Sequence, residues 1–128
     1  MNIALWTAQV LLAAVYGMLG FKKIFQTGKL RAQMEWARDE TPGSLRFVGA
    51  SELLGATGMI LPSLTGILPW LVPLVAVGLA LIQLLAILTV HLPRNDYNIL
   101  PLNVVLMALS IFVAAGRWAL IVSSFPFL

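Results

Sequence analysis

The stretch Arg46–Pro62, RFVGASELLGATGMILP, decides the fold. It is a continuous apolar run with one acid, Glu52, inside it. A segment of this kind predicts a membrane-spanning helix, and a carboxyl group at the centre of such a helix costs roughly 3 kcal/mol on insertion scales. The acid therefore needs a partner, a proton or a task. Gly49, Gly55 and Ala56 lie three or four positions from Glu52 and share its helical face. Small residues let helix backbones approach closely in lipid, so these three are expected to pack helices together and to carry Glu52 into a bundle.

Working outward, the composition supports the same environment. Of the 128 residues, 60% are hydrophobic and 10% charged, too few charges to cover a soluble domain of this size. Four apolar runs stand at about 3–21, 45–61, 67–90 and 99–118, the first two separated by the one sizeable polar segment and the others by short connections. The fold class is all-α, an integral membrane four-helix bundle with antiparallel neighbours and a single domain over 1–128. The first run has no preceding basic residue and is followed directly by Lys22 and Lys23, the reverse of a signal peptide's charge order, so it is expected to be retained. Residues 29–40 form an amphipathic segment, with Leu30, Met34 and Ala37 at helical spacing and Trp36 beside them. A short helix on the membrane surface is expected there. Pro62 is expected to close the second span. Pro69 is placed in the first turn of the third span and Pro73 about a turn further in, where it would bend the helix. The final residues, ALIVSSFPFL, extend the last helix or lie along the interface.

Six of the eight basic residues lie between 22 and 46, and Arg94 is in the third loop. The positive-inside rule puts both charged loops in the cytoplasm and both termini outside, in a bacterial inner (plasma) membrane. The net charge of +3 thus reports topology, and nucleic acid is not an expected partner; the lipid bilayer is. The chain has no cysteine, which excludes disulfides, thiolate catalysis and Cys-based metal sites within it. Only one histidine is present, and no metal site is expected.

The predicted topology sorts the polar residues by depth. Glu52, six residues beyond Arg46, lies roughly 9 Å from the cytoplasmic end at 1.5 Å per residue. Tyr16, Gln83 and Asn103 come to the same half. Lys22, Lys23, Arg46 and His91 would ring the inner mouth. Arg46 is on a different face of its helix from Glu52, so Lys23 or His91 from another helix is the candidate partner. The candidate ligand or proton site is therefore Glu52, His91, Arg46, Lys23, Tyr16, Asn103 and Gln83. Simpler roles stand beside this one: an interhelical lock for Glu52, an interfacial helix end for His91, and helix–helix hydrogen bonding for Gln83 and Asn103. Gln9 and Tyr16 share a stripe with Ala13, Gly20 and Lys23 that reads as packing. Asn103, Ser110 and Arg117 recur every seven residues on one face of the fourth helix, and Arg117 with Trp118 makes an interfacial anchor.

The order of these features also carries a resemblance. G-F-K-K follows span one, R-F-x-G-x-x-E-L-L-G-A-x-G-x-I-L-P fills span two, T-V-H ends span three and G-R-W ends span four. The chain resembles the DoxX-like family of small four-helix bacterial membrane proteins, and Lys22 or Lys23, Arg46, Gly49, Glu52, Gly55, Pro62, His91 and Arg117 match its pattern. That family takes its name from a subunit linked to a thiosulfate:quinone oxidoreductase, and other members are associated with redox-stress complexes. The resemblance implies an accessory subunit, or a binding protein for a small amphipathic ligand of quinone type, in a membrane redox system. A redox partner subunit and a homo-oligomer both stay open. The chain has no catalytic motif and no motif for holding its own haem, flavin or nicotinamide, so electrons would come from a partner; a quinone is the cofactor that the resemblance implies as possible. The alternative is a structural or assembly protein in which Glu52 only locks the packing.

Overall fold

The structure, a computed structural model, describes residues 2–38 and 40–124. Every regular element among them is helical. The chain runs through α1 (Asn2–Phe25), α2 (Thr27–Gln33), α3 (Glu35–Arg38), α4 (Pro42–Thr65), α5 (Leu71–Ala86), α6 (Leu100–Gly116) and α7 (Trp118–Ser124), with a π-helical segment (Ile87–His91) continuing α5. Four helical stretches are long and apolar enough to cross a membrane: Asn2–Phe25, Pro42–Thr65, Leu71–His91 and Leu100–Ser123. Only 28 to 33% of each is buried inside the bundle, so the larger part of each apolar surface faces outward and needs lipid to cover it.

The four long helices form a ring in the order α1, α4, α5, α6, and α1 closes it against α6. The α1–α4 interface is the most extensive, followed by α5–α6. The core runs along the ring axis through Leu12, Tyr16, Met59, Val72, Ala76, Leu79 and Val113, all 2% exposed or less. One end of the bundle carries α2, α3 and the loop after His91, and hence most of the charge. We call it the basic end.

The helix ends follow from local chemistry. Thr41 caps α4: its Oγ1 accepts from the Ser44 N–H at 3.0 Å, and Pro42 fills the first helical position, where no N–H is needed. Pro62, expected to end this span, lies inside the helix instead. Gly66 is the stop, since its φ of 71° lets the chain turn left-handed while its N–H closes on Pro62 O. The third span also differs from expectation. α5 starts at Leu71, so Pro69 precedes it and Pro73 falls in its first turn, where a missing N–H breaks no bond. Pro73 is thus a helix-start residue rather than a bend. The amphipathic segment divides in two at Met34, which is extended (φ −117°, ψ 123°) and points outward. Leu30 and Ala37 keep a common face and bury it on Leu45 of α4. The Trp36 side chain and residues 125–128 lie outside the described residues; α7 extends the last helix as far as Ser124.

Candidate functional site

The site begins at a helix crossing. A Cβ on Gly20 would stand 2.6 Å from the Gly49 carbonyl oxygen, and a Cβ on Gly49 would stand 2.6 Å from Lys23 Cβ. Only hydrogen fits at either place, so α1 and α4 touch backbone to backbone. Lys23 lies three residues beyond Gly20, and Glu52 three beyond Gly49. The contact therefore swings Lys23 Nζ onto Glu52 Oε1 in a hydrogen-bonded ion pair. Glu52 is fully buried and the Lys23 side chain is 14% exposed. Of the two cations that the sequence offered from other helices, the structure brings Lys23 to the acid. Arg46 is exposed, on the outer side of α4.

Glu52 has a second oxygen, Oε2, that is buried without a hydrogen-bond partner. Beside this acid stands Tyr16, fully buried, whose hydroxyl is 3.5 Å from Leu79 O and is approached by the side chains of Gln83 and Ser110. Gly55 makes this possible, because its missing side chain admits Leu79 of α5 to within 2.6 Å of where a Cβ would be. Ala56 is buried in the same seam.

A cleft of about 340 Å³ opens beside this cluster toward the basic end. Lys23, Gln83, His91 and Asn103 line it together with apolar side chains such as Leu19, Val48 and Ile82, and Glu40 and Ser44 also contribute to its wall. Gln83 Oε1 and Asn103 Nδ2 are buried with no hydrogen-bond partner. Four of the seven expected site residues thus share one cavity wall. Glu52 and Tyr16 lie behind that wall, and Arg46, exposed between the lining residues Leu45 and Phe47, does not contribute to it.

The DoxX-like family model matches residues 7–113. The chain belongs to the DoxX-like family. No curated protein and no solved structure matches it. The matched region of this DoxX-like chain contains every residue of the cleft and the Lys23–Glu52 pair. Arg117 lies beyond it.

His91 is positioned by a partner that the sequence reading missed. Its Nδ1 lies 3.1 Å from Asp96 Oδ2, which, when ionised, accepts and so puts a proton on Nδ1. Arg94 Nε is 3.4 Å from the same Asp96 oxygen, and its Nη2 lies 3.9 Å from Glu35 on α3. The π-helical turn before His91 ends with the Leu92 N–H on Ile87 O and the Asp96 N–H on His91 O, which folds the loop back over the ring. A short loop of the form H-L-P-R-N-D, with an acid five residues after a histidine, was the available signal.

At the opposite end of the DoxX-like bundle, Gln9 is fully buried and joins three helices. Its Nε2 donates to Met59 O at 2.7 Å and to Ser63 Oγ at 3.1 Å, and its Oε1 accepts from Arg117 Nε at 2.9 Å. Arg117 is thus tied to the bundle interior in addition to sitting next to the exposed Trp118. Among the described residues no group of three or more His, Asp or Glu side chains is placed to hold a metal ion.

Proposed function

We propose that this membrane protein binds a small amphipathic molecule of quinone type in the cleft, as an accessory component of a membrane redox system. The observation that supports this reading is the composition of the cleft wall. Lys23, Gln83, His91 and Asn103 gather at one cavity whose remaining surface is largely aliphatic, at the depth where a lipid-soluble molecule would rest its polar head. Buried side-chain amides without partners are costly unless something meets them. In this reading Glu52 acts by holding Lys23 at the wall, and its unpartnered oxygen is available to take up a proton. The basic end faces the cytoplasm of the inner membrane, and both ends of the chain face the other side. Electrons would come from a partner subunit, because the chain brings no cofactor motif.

The Lys23–Glu52 pair also favours a second reading, in which the protein is a structural or assembly component and the pair locks α1 to α4. Native mass spectrometry separates the two. The protein is extracted gently from its own membranes and the small molecules it releases are identified, for the wild type and for Ala86→Phe, which narrows the cleft while keeping both residues of the ion pair. One amphipathic compound retained by the wild type and lost from Ala86→Phe supports ligand binding. Bare protein in both, or unselective phospholipid, supports the structural reading.

A further inference from the structure

We infer that the cleft selects an uncharged amphiphile whose head bears a hydroxyl group, such as the reduced, quinol form of a quinone, over an anionic lipid or a dicarbonyl. This inference rests on the ligand-binding reading above and adds the chemistry of the head group. Its first support is the pair of amides. Gln83 and Asn103 are 4% and 6% exposed, both line the cleft, and each has a buried polar atom without a hydrogen-bond partner. The unmet atoms are one acceptor, Gln83 Oε1, and one donor, Asn103 Nδ2. Tyr16 has one proton to give, and Leu79 O, Gln83 and Ser110 all stand near it. A carbonyl-only head can satisfy the Asn103 nitrogen and leaves the Gln83 oxygen unmet. A hydroxyl does both: its oxygen accepts from Asn103 while its proton goes to Gln83.

The second support is charge. Lys23 on the wall is matched by Glu52, and Arg94 at the rim by Asp96 and Glu35. Glu40 adds a further carboxylate to the lining. The cations of the basic end that would draw an anion, Lys22 and Arg46 among them, are exposed and take no part in the cleft. A carboxylate or phosphate head would enter a low-dielectric space that offers it no surplus positive charge.

The test is a binding series on the full chain in detergent, followed by titration calorimetry. The probes share one decyl tail: a para-hydroquinone kept reduced without oxygen, the matching benzoquinone, the hydroquinone di-O-methyl ether, and decanoate. The hydroquinone is expected to bind about tenfold or more tightly than the ether and the quinone, the cost of leaving buried polar groups unmet, with decanoate weakest. Gln83→Leu is expected to erase the hydroquinone–ether difference, because it removes the acceptor that only a hydroxyl proton can meet. Equal binding of hydroquinone and ether to the wild type, or tightest binding of decanoate, would overturn the inference and leave the cleft a binding site of other specificity. If none of the four binds, the ligand-binding reading itself falls. The wild-type series decides the matter even if the variant does not fold.

Discussion

At the scale of single residues, the most consequential contact is Lys23 with Glu52. Taking one charge away leaves the other in a nearly water-free site, and breaking a buried pair by removing one partner costs about 3 to 5 kcal/mol. Replacing both with neutral groups of similar shape removes that penalty. Glu52→Gln and Lys23→Met are therefore each expected to lower the thermal unfolding temperature in detergent. The double variant should be more stable than either single one. Additive losses in the cycle would show that the two side chains are not coupled, and a Glu52→Gln protein of unchanged stability but lost cellular activity would point to a chemical task for the acid. The sequence made Glu52 conspicuous, since an acid in an apolar run is expensive wherever it ends up. It also left both Lys23 and His91 as partners, because which one arrives depends on how two helices rotate about each other. His91 turned out to stand against Asp96, five residues on in the same loop, a pairing that the loop's own fold-back creates.

At the scale of elements, the two glycines at the α1–α4 crossing set the site's geometry. A methyl group on Gly49 would meet Lys23 Cβ and Gly20 O, at 2.6 and 2.9 Å, so the helices must part to admit it. Gly49→Val is expected to destabilise the bundle by about 2 kcal/mol or more, in the range for overpacked sites, and to pull Lys23 away from Glu52. Gly78, in the middle of α5, is the control: a Cβ there meets nothing within 4 Å. Gly78→Ala should be neutral or stabilising by up to about 1 kcal/mol, the helix-propensity gain. Thermal unfolding of the two variants side by side checks this, and a Gly49→Val protein as stable as Gly78→Ala would refute the close-crossing account. Sequence periodicity identified Gly49, Gly55 and Ala56 as packing residues because three- and four-residue spacing sets a common face. The element ends were less legible. Pro62 and Pro73 were read as a stop and a bend, yet Gly66 supplies the stop and α5 begins late enough to absorb Pro73 in its first turn. A proline says where an N–H is missing; the surrounding structure decides whether that N–H was needed.

At the scale of the whole molecule, the four apolar helices form a ring, and the uneven distribution of basic residues between its two ends bears on its direction in the membrane. Single cysteines introduced at positions 2 and 40 of this cysteine-free chain allow a direct check. Position 2 should react with a membrane-impermeant thiol reagent added from outside the cell, and position 40 only after the membrane is opened; the reverse pattern would invert the topology. By itself the sequence determined the membrane environment, the number of spans and the alternation of their direction. Those properties follow from transfer free energy and from a rise of about 1.5 Å per residue, which act along the chain without reference to any neighbour. Tertiary structure alone decided which polar residues meet. It joined Lys23 to Glu52, Gln9 to Arg117 and His91 to Asp96, left Arg46 outside, and opened a cleft beside Gln83 and Asn103. The reason is that helix rotation and spacing are set by close contacts between small residues on different helices, a sum over pairs distant in sequence that no single stretch contains.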